Sequence, residues 1–387
     1  MIRKINLTNF RNYIKKTIEF SDKTTVIVGP NASGKTNILE AIFLLSTGKS
    51  FHARVEEEMI GYDANLARIS AQTTIYANDT NEPSTSGIPQ NTEYNIQNTN
   101  LEVVLTRGKI DIGNNHMQPA PRKKLMVNGV SRHLYNFAGN LKTVLFGPWD
   151  MDLVTESPSV RRRFLDNVLS QVDREYRRSI LSYEKGLRQR NRILWNIREY
   201  MPGAGRGQLL FWNQLLIKTG DYISKKREEF IGFANNNDGL ISTNKYQLQI
   251  NTNYQLEYDM SAISEGRLEE YKAEEVAAAT TLVGPHRDDF VFRVKERESK
   301  RAGGRDLAKY GSRGEQRMGV LWLKLAELKY IEGQAKPILL LDDIFSELDH
   351  GHREIVMEIV KSAGQVIITT ADEHFVEGFG TKDVIEL

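Results

Sequence analysis

The run Thr24–Val28 (TTVIV) is β-branched and leads straight into GPNASGKT at Gly29–Thr36, after which Thr36–Leu45 continues with helical spacing. Few local patterns constrain a fold so tightly. Two glycines release the backbone at the strand end, and small side chains let successive N–H groups converge on one anion. The following helix brings the positive end of its dipole to the same point. Ile38, Leu39, Ile42 and Leu45 share one helical face with no breaker between them. The octapeptide fits G-x-x-x-x-G-K-[ST], in which the lysine pairs with terminal phosphates and the hydroxyl contacts Mg²⁺. The strand–loop–helix context predicts an α/β nucleotide-binding fold. Gly29, Pro30, Asn31, Ala32, Ser33, Gly34, Lys35 and Thr36 form its phosphate cradle, with ATP or GTP as ligand.

Far downstream, Leu339–Asp343 (LLLDD) sets two carboxylates at the end of an apolar strand, where ligands of open α/β sheets bind. Asp342 is the expected Mg²⁺ ligand, acting through water. Asp343 is the candidate base that orients or deprotonates an attacking water. Its side chain is shorter than the carboxylate usual in related hydrolases, so slow turnover is expected. Ser312–Glu315 (SRGE) precedes an apolar-periodic run with Met318, Leu321, Leu325 and Leu328, which reads as a Ser-x-x-Glu capping box. A capped helix start that carries a glycine also presents N–H groups to an anion, so Ser312 and Gly314 are candidate γ-phosphate contacts.

The remaining sequence limits the setting. At 387 residues, 40% hydrophobic and 26% charged, the chain suits one composite unit or two lobes. It has no cysteine, which excludes a disulfide framework and fits a reducing compartment. No signal peptide or membrane span is expected, and a cytoplasmic location is. Lys4–Phe10, Arg68–Tyr76, Leu101–Thr106, Lys124–Asn128 and Thr143–Phe146 read as strands, as do Tyr246–Ile250, Tyr254–Tyr258, Phe290–Val294, Ile338–Leu341 and Val366–Thr369. Ala77–Asn100 is polar and is expected as a solvated loop, and Ser299–Gly311 as a basic one. From Ser157 and Pro158 the spacing turns helical, breaks at Pro202 and Gly203, and resumes at Leu209–Phe233, predicting a helical hairpin.

The formal charge of +2 is too small to announce a nucleic-acid partner, but its distribution is uneven. Arg161–Arg192 holds ten Lys or Arg against four Asp or Glu. Arg161, Arg162, Arg163, Arg174, Arg177, Arg178, Arg188, Arg190 and Arg192 are therefore either the solvated face of a helix or contacts to DNA phosphates. His286, before Arg287, Asp288 and Asp289, has no partner at a defensible metal-ligand spacing and reads as part of a structured loop.

Taken in order, the loop lysine, the Ser-x-Gly helix start, the strand-end acids and SELD at Ser346–Asp349 resemble ABC-type ATPase heads. NFRNY at Asn9–Tyr13, SPSVRRRFLD at Ser157–Asp166, QRN at Gln189–Asn191, TLVGPHRDD at Thr281–Asp289 and LLDDIFSELD at Leu340–Asp349 are similar to strings of the bacterial RecF family. These strings run nearly from end to end. The resemblance implies an ABC-type P-loop ATPase head, SMC-like, with an inserted helical lobe. Its expected parts are 1–155 and 281–387 as the two halves of the ATPase lobe and 156–280 as the insert. It implies a cytoplasmic ATP- and Mg²⁺-binding protein of DNA gap repair and replication restart, acting beside RecR, RecO and RecA. ATP is expected to join two copies, with Ser312, Gly314 and Glu315 facing the partner's nucleotide. The dimer clamps duplex DNA near gaps or junctions, and weak hydrolysis resets it. Three departures stand out: PWD at Pro148–Asp150 in place of Pro-Glu-Asp, Glu315 in place of a glutamine, and the long polar stretch at Ala77–Asn100. Two rivals are an ATP-regulated nuclease, for which the few residues after Asp349 are too short a domain, and a structural SMC-like or transporter-associated subunit, disfavoured by the lack of long heptads.

Overall fold

A computed structural model describes residues 1–77, 95–111, 117–200, 206–236, 253–295, 304–348, 350–372 and 383–387. They pack as two compact units, Met1–Pro148 with Ile331–Leu387, and Trp149–Tyr330. Residues 281–330, grouped above with the second half of the ATPase lobe, therefore pack within the second unit.

In the first unit, among the described residues, five parallel strands lie in the order Thr143–Phe146, Ile338–Asp342, Gln365–Thr370, Thr24–Val28 and Val384–Glu386. Ile338–Asp342 and Gln365–Thr370 are buried at every position, which explains the apolar runs Ile338–Leu341 and Val366–Ile368 within them. The parallel register ends Thr24–Val28 and Ile338–Asp342 at the same edge, since both pair with Gln365–Thr370. Helix Lys35–Thr47 packs against this sheet and also against strands of a second one. It is therefore buried nearly all round rather than along one stripe.

The second sheet of this unit is antiparallel, in the order Tyr13–Glu19, Ile2–Phe10, Leu66–Ala77, Asn95–Thr106, Lys123–Val127 and Val130–Arg132. Its inward positions, such as Ile2, Ile5, Leu7, Ile69, Val103 and Leu105, are at most 0% exposed. Gln365 ties the two sheets: its Nε2 donates to the carbonyls of Ile2 at 2.7 Å and Ser21 at 2.8 Å, and its Oε1 accepts from Ile2 N at 2.8 Å. The strands Leu66–Ala77 and Asn95–Thr106 pair out to Ala77↔Asn95. This corrects the expected loop at both of its ends. Backbone ladder bonds are indifferent to the polar side chains that made Asn95–Asn100 look unstructured. Residues 78–94, the rest of that expectation, lie outside the described residues, as do Tyr246–Ile250, Pro202 and Gly203.

The second unit joins helices Pro158–Val172, Arg174–Glu199 and Arg206–Asn236 to a three-stranded antiparallel sheet of Tyr254–Asp259, Asp289–Val294 and Arg305–Asp306. Pro158 occupies the first turn after Ser157, as its spacing predicts. Asp173 caps the next helix by accepting from Tyr176 N at 2.9 Å. Phe164, Leu165, Val168, Tyr176, Ile180, Leu216, Phe230 and Phe290 form the centre of its core. The basic stretch expected as a loop carries both Arg305–Asp306 and a helical turn at Leu307–Tyr310. Asp306 caps that turn, accepting from Ala308 N at 3.0 Å, and Leu307 is buried beneath it.

Candidate nucleotide-binding site

The phosphate loop is held in left-handed backbone at Ala32 (φ 66°) and Gly34 (φ 104°). A Cβ at Gly34 would lie 2.7 Å from both Asn12 Nδ2 and Tyr13 Oη, so close approach and backbone sign both require glycine there. No side chain caps helix Lys35–Thr47 at its start. Lys35 is 7% exposed, and its Nζ donates to the carbonyls of Gly29 at 2.6 Å and Pro30 at 2.9 Å, lying folded over the loop. Ser33 Oγ is buried without a hydrogen-bond partner among the described residues. An orphaned hydroxyl of this kind costs about 1–3 kcal/mol, and an anion oxygen in the cradle would satisfy it. The loop residues thus fit a bound phosphate chain.

Thr36 Oγ1 donates to Asp342 Oδ2 at 2.8 Å, although the two residues are 306 apart in sequence. Thr369 Oγ1 donates to the other carboxylate oxygen, and Asp342 is 4% exposed. Burial raises the Asp342 carboxyl above its ordinary range, opposed by these two hydroxyl bonds. A buried carboxylate beside the loop hydroxyl is the donor set a hard divalent cation takes, which fits Mg²⁺. Asp343 follows with φ 47° and donates its N–H to Thr369 O at 3.1 Å. A left-handed non-glycine residue costs of order 1–3 kcal/mol, and such residues cluster at functional sites. Asp349 of SELD lies outside the described residues.

The sequence gives no role to the residues that buttress this loop. Arg11 forms a two-pronged ion pair with Glu40 at 2.7 and 2.6 Å, and Glu40 is 0% exposed on the loop's own helix. Arg11 also donates to Glu58 O at 2.7 Å. Next to it, Asn12 Nδ2 donates to Ser33 O at 3.1 Å and Asn12 Oδ1 accepts from Asn37 Nδ2 at 2.9 Å. Burial pushes the Tyr13 phenol up to about 12. The signal for this buttress was a glutamate inside the apolar run ILEAIFLL, which needs a buried cation.

In the second unit, the capping box forms in both directions: Glu315 N donates to Ser312 Oγ at 3.3 Å, and Ser312 N to Glu315 Oε2 at 2.7 Å. Arg305 adds a charged bond to Glu315 at 2.5 Å, and with the Ser312 amide it lowers that carboxyl to about 2. Ser312 and Gly314 are exposed at the start of helix Arg313–Glu332.

The arginines divide by environment. Arg161 is 9% exposed and clamps Asp289 at 2.7 and 2.9 Å, and Arg162 donates to Asp288 O at 2.8 Å. Arg190 is 3% exposed and holds Glu275 at 2.6 Å, Thr281 Oγ1 at 2.8 Å and Asn213 Oδ1 at 2.8 Å. Arg161 and Arg190 are therefore committed to internal carboxylates, a correction to their reading as DNA contacts. Arg163 and Arg188 are exposed. Asp288 is a buried hub, accepting from Arg227 at 3.0 Å, from Tyr258 Oη and from Ser261 N at 2.8 Å. Beside it, His286 Nε2 faces Thr281 O at 2.9 Å and must donate, so Nδ1 accepts from Tyr183 Oη at 2.8 Å. Burial pushes that imidazole down to about 4.

The family model described as RecF/RecN/SMC N terminal domain matches residues 1–385. The chain is 34% identical to a DNA replication and repair protein RecF of Shouchella clausii, over 96% of this chain and 92% of that protein. It is 33% identical to one of Herpetosiphon aurantiacus, over 96% and 93%. Among solved structures, a recombination mediator protein RecF bound to ATP, of the RecFOR pathway, matches with a TM-score of 0.76 and 28% identity, over 96% of this chain and 92% of that one.

Proposed function

The chain belongs to the RecF family, and from that premise we propose that it is an ATP-dependent DNA-binding protein of recombinational repair and replication restart. The observation that carries the reading is the 2.8 Å bond from Thr36 to Asp342, which joins the phosphate loop to the strand-end acids in one sheet. In this reading the N–H groups of Gly29–Thr36 and the Lys35 ammonium bind the phosphates of ATP. Thr36 and Asp342 would hold Mg²⁺, which when bound neutralises charge on the phosphate oxygens. Lys35 leaves the loop carbonyls for the phosphates. Asp343 orients the attacking water and accepts its proton, and its short side chain keeps turnover slow.

Ser312 and Gly314 complete the nucleotide site of a second copy, because an exposed capped helix start offers N–H groups and a positive dipole to the γ-phosphate. Glu315 is tied to Arg305 and the Ser312 amide, which holds its charge back from that phosphate. ATP thereby joins two copies into a clamp on duplex DNA near gaps, and hydrolysis reopens it. RecR and RecO are the expected partners, in loading RecA, and the cytoplasm is the expected compartment. No described helix is long and apolar enough to cross a membrane. Arg163 and Arg188 remain as phosphate contacts.

Fluorescence anisotropy with labelled duplex DNA tests the reading. Affinity should rise with ATP and Mg²⁺ over that with ADP, and Lys35→Met should abolish the difference. Equal affinity in both nucleotide states would sink the ATP-switched reading.

A further inference from the structure

The strand Gln365–Thr370 lies between the two strands whose ends build the nucleotide site, pairing with Ile338–Asp342 on one side and Thr24–Val28 on the other. Its apolar run Val366–Ile368 stops at two threonines, Thr369 and Thr370, which are 0% and 2% exposed. A buried hydroxyl needs a partner, and on a central strand the side chain cannot turn to water to find one. Thr369 stands beside Asp342 in the ladder. A β-branched side chain has a narrow choice of χ1, so the backbone itself aims the hydroxyl.

That hydroxyl reaches the acid rather than the sheet. Thr369 Oγ1 donates to Asp342 Oδ1, while the backbone alternative, Leu341 O, lies at 3.4 Å. A threonine that serves the core alone satisfies its hydroxyl on a carbonyl, as Thr73 does on Thr99 O at 2.9 Å in the antiparallel sheet. Asp342 Oδ2 is left for the Thr36 hydroxyl, 2.8 Å away. With one partner on each oxygen, the carboxylate cannot turn without losing both bonds. Thr369 also holds the next acid by its main chain, since Asp343 N donates to Thr369 O at 3.1 Å where the Asp343 backbone turns left-handed. Its neighbour Thr370 accepts from Gly29 N at 3.4 Å, at the start of the phosphate loop.

We propose that Thr369 is a positioning residue of the nucleotide site, whose hydroxyl fixes the Asp342 carboxylate so that Oδ2 stays facing Thr36, the pair that takes the cation. The inference rests on the ATP and Mg²⁺ reading above and adds a residue that touches neither nucleotide nor metal. A residue that orients a metal ligand from behind sets metal affinity and leaves the phosphate contacts alone. Loss of such a residue typically costs about 10- to 100-fold in metal affinity.

Thr369→Val keeps the branched shape and removes the hydroxyl, whereas Thr369→Ser keeps the hydroxyl and removes the methyl group. Mn²⁺ affinity of the protein–ATP complex is measured by electron paramagnetic resonance, and ATP affinity in EDTA by calorimetry. Thr369→Val should weaken Mn²⁺ binding by about 10- to 100-fold with ATP affinity in EDTA within about threefold of wild type, and Thr369→Ser should keep both within about threefold. Mn²⁺ affinity unchanged in Thr369→Val, or lost equally in Thr369→Ser, overturns the positioning role. A matching loss of ATP affinity in EDTA overturns it too, since the substitution then disturbs the loop and the sheet rather than the carboxylate. Asp342→Asn separates these failures from failure of the parent reading. If it binds Mn²⁺ as wild type does, Asp342 is no ligand, and the metal reading falls together with the inference. If it loses Mn²⁺ and Thr369→Val does not, the inference alone falls.

Discussion

Glu40→Gln tests whether the phosphate loop depends on its buried buttress. Glu40 accepts two charged bonds from Arg11, at 2.7 and 2.6 Å, and one from Ser50 Oγ. Glutamine keeps the shape but turns one acceptor into a donor, so an N–H must face either the guanidinium or the serine hydroxyl. Breaking one side of a buried ion pair costs about 3–5 kcal/mol. The Arg11 side chain keeps 16% exposure and its bond to Glu58 O, which places the cost near about 3 kcal/mol, the lower end of that range. In local opening this is about a hundredfold in amide exchange, at 1.4 kcal/mol per tenfold. Hydrogen exchange with mass spectrometry should therefore show Lys35–Thr47 exchanging about a hundredfold faster in the variant. As a contrast, Glu19→Gln, which removes the exposed partner of Lys4, should leave its own strand unchanged. Exchange over Lys35–Thr47 within about threefold of wild type would refute the reasoning, since a bond this buried cannot then bear on the loop.

Thr36→Val removes the hydroxyl shared with Asp342, so calorimetry should show ATP affinity in Mg²⁺ falling at least about tenfold while affinity in EDTA is unchanged. Burial lowers the His286 imidazole from an ordinary 6.5 to about 4, so the unfolded chain takes up its proton first. Stability should then be level above about pH 6.5 and fall by roughly 3 kcal/mol on acidification to pH 4, and His286→Gln should flatten that part of the urea-midpoint profile. Glu315 runs the other way, with its carboxyl lowered to about 2 by Arg305 and the Ser312 amide. Its contribution is present above about pH 4.5 and lost as the pH falls towards 2, worth about 0.5 kcal/mol at this exposed position. Exchange at residues 312–317 should show that loss, and Glu315→Ala should remove it. Arg190→Ala leaves Glu275 charged at 0% exposure and should lower stability by about 3–5 kcal/mol, whereas Arg188→Ala should change it by under about 0.5 kcal/mol in the same urea titration.

The parts of the fold legible in the sequence were those where local chemistry and tertiary position agree. The phosphate loop, its strand and its helix, LLLDD and the capping box at Ser312–Glu315 each announce themselves within a few residues. Asn95–Asn100 was misread because a strand in an antiparallel pair needs only its backbone, whose ladder runs out to Ala77↔Asn95 without an apolar alternation in the sequence. Leu307–Tyr310 was missed because a four-residue turn gives too little periodicity, leaving only the Asp306 cap as a sign. Tyr13–Glu19 (YIKKTIE) hid its strand because two adjacent lysines break the alternation and only Ile18 is buried. The candidate site divides similarly. Lys35, Thr36 and Asp342 are named by motif, while Glu40, Arg11 and Thr369 act through contacts between residues distant in sequence. Arg161 and Arg190 show the same limit. Charge was visible, but burial against Asp289 and Glu275 depends on pairings across roughly a hundred residues, which no local pattern encodes.

The central claim is that ATP joins two copies through a site each completes for the other. Sedimentation or light-scattering mass with ATP and Mg²⁺ tests it most directly, on wild type, Lys35→Met, Ser312→Arg and an equimolar mixture of the two variants. Wild type should reach twice the monomer mass, and each variant alone should remain monomeric. The mixture should recover dimer, because one of its two composite sites pairs an intact loop with an intact Ser312. A wild-type mass that never changes with ATP, or variants that dimerise as wild type does, would contradict the shared site.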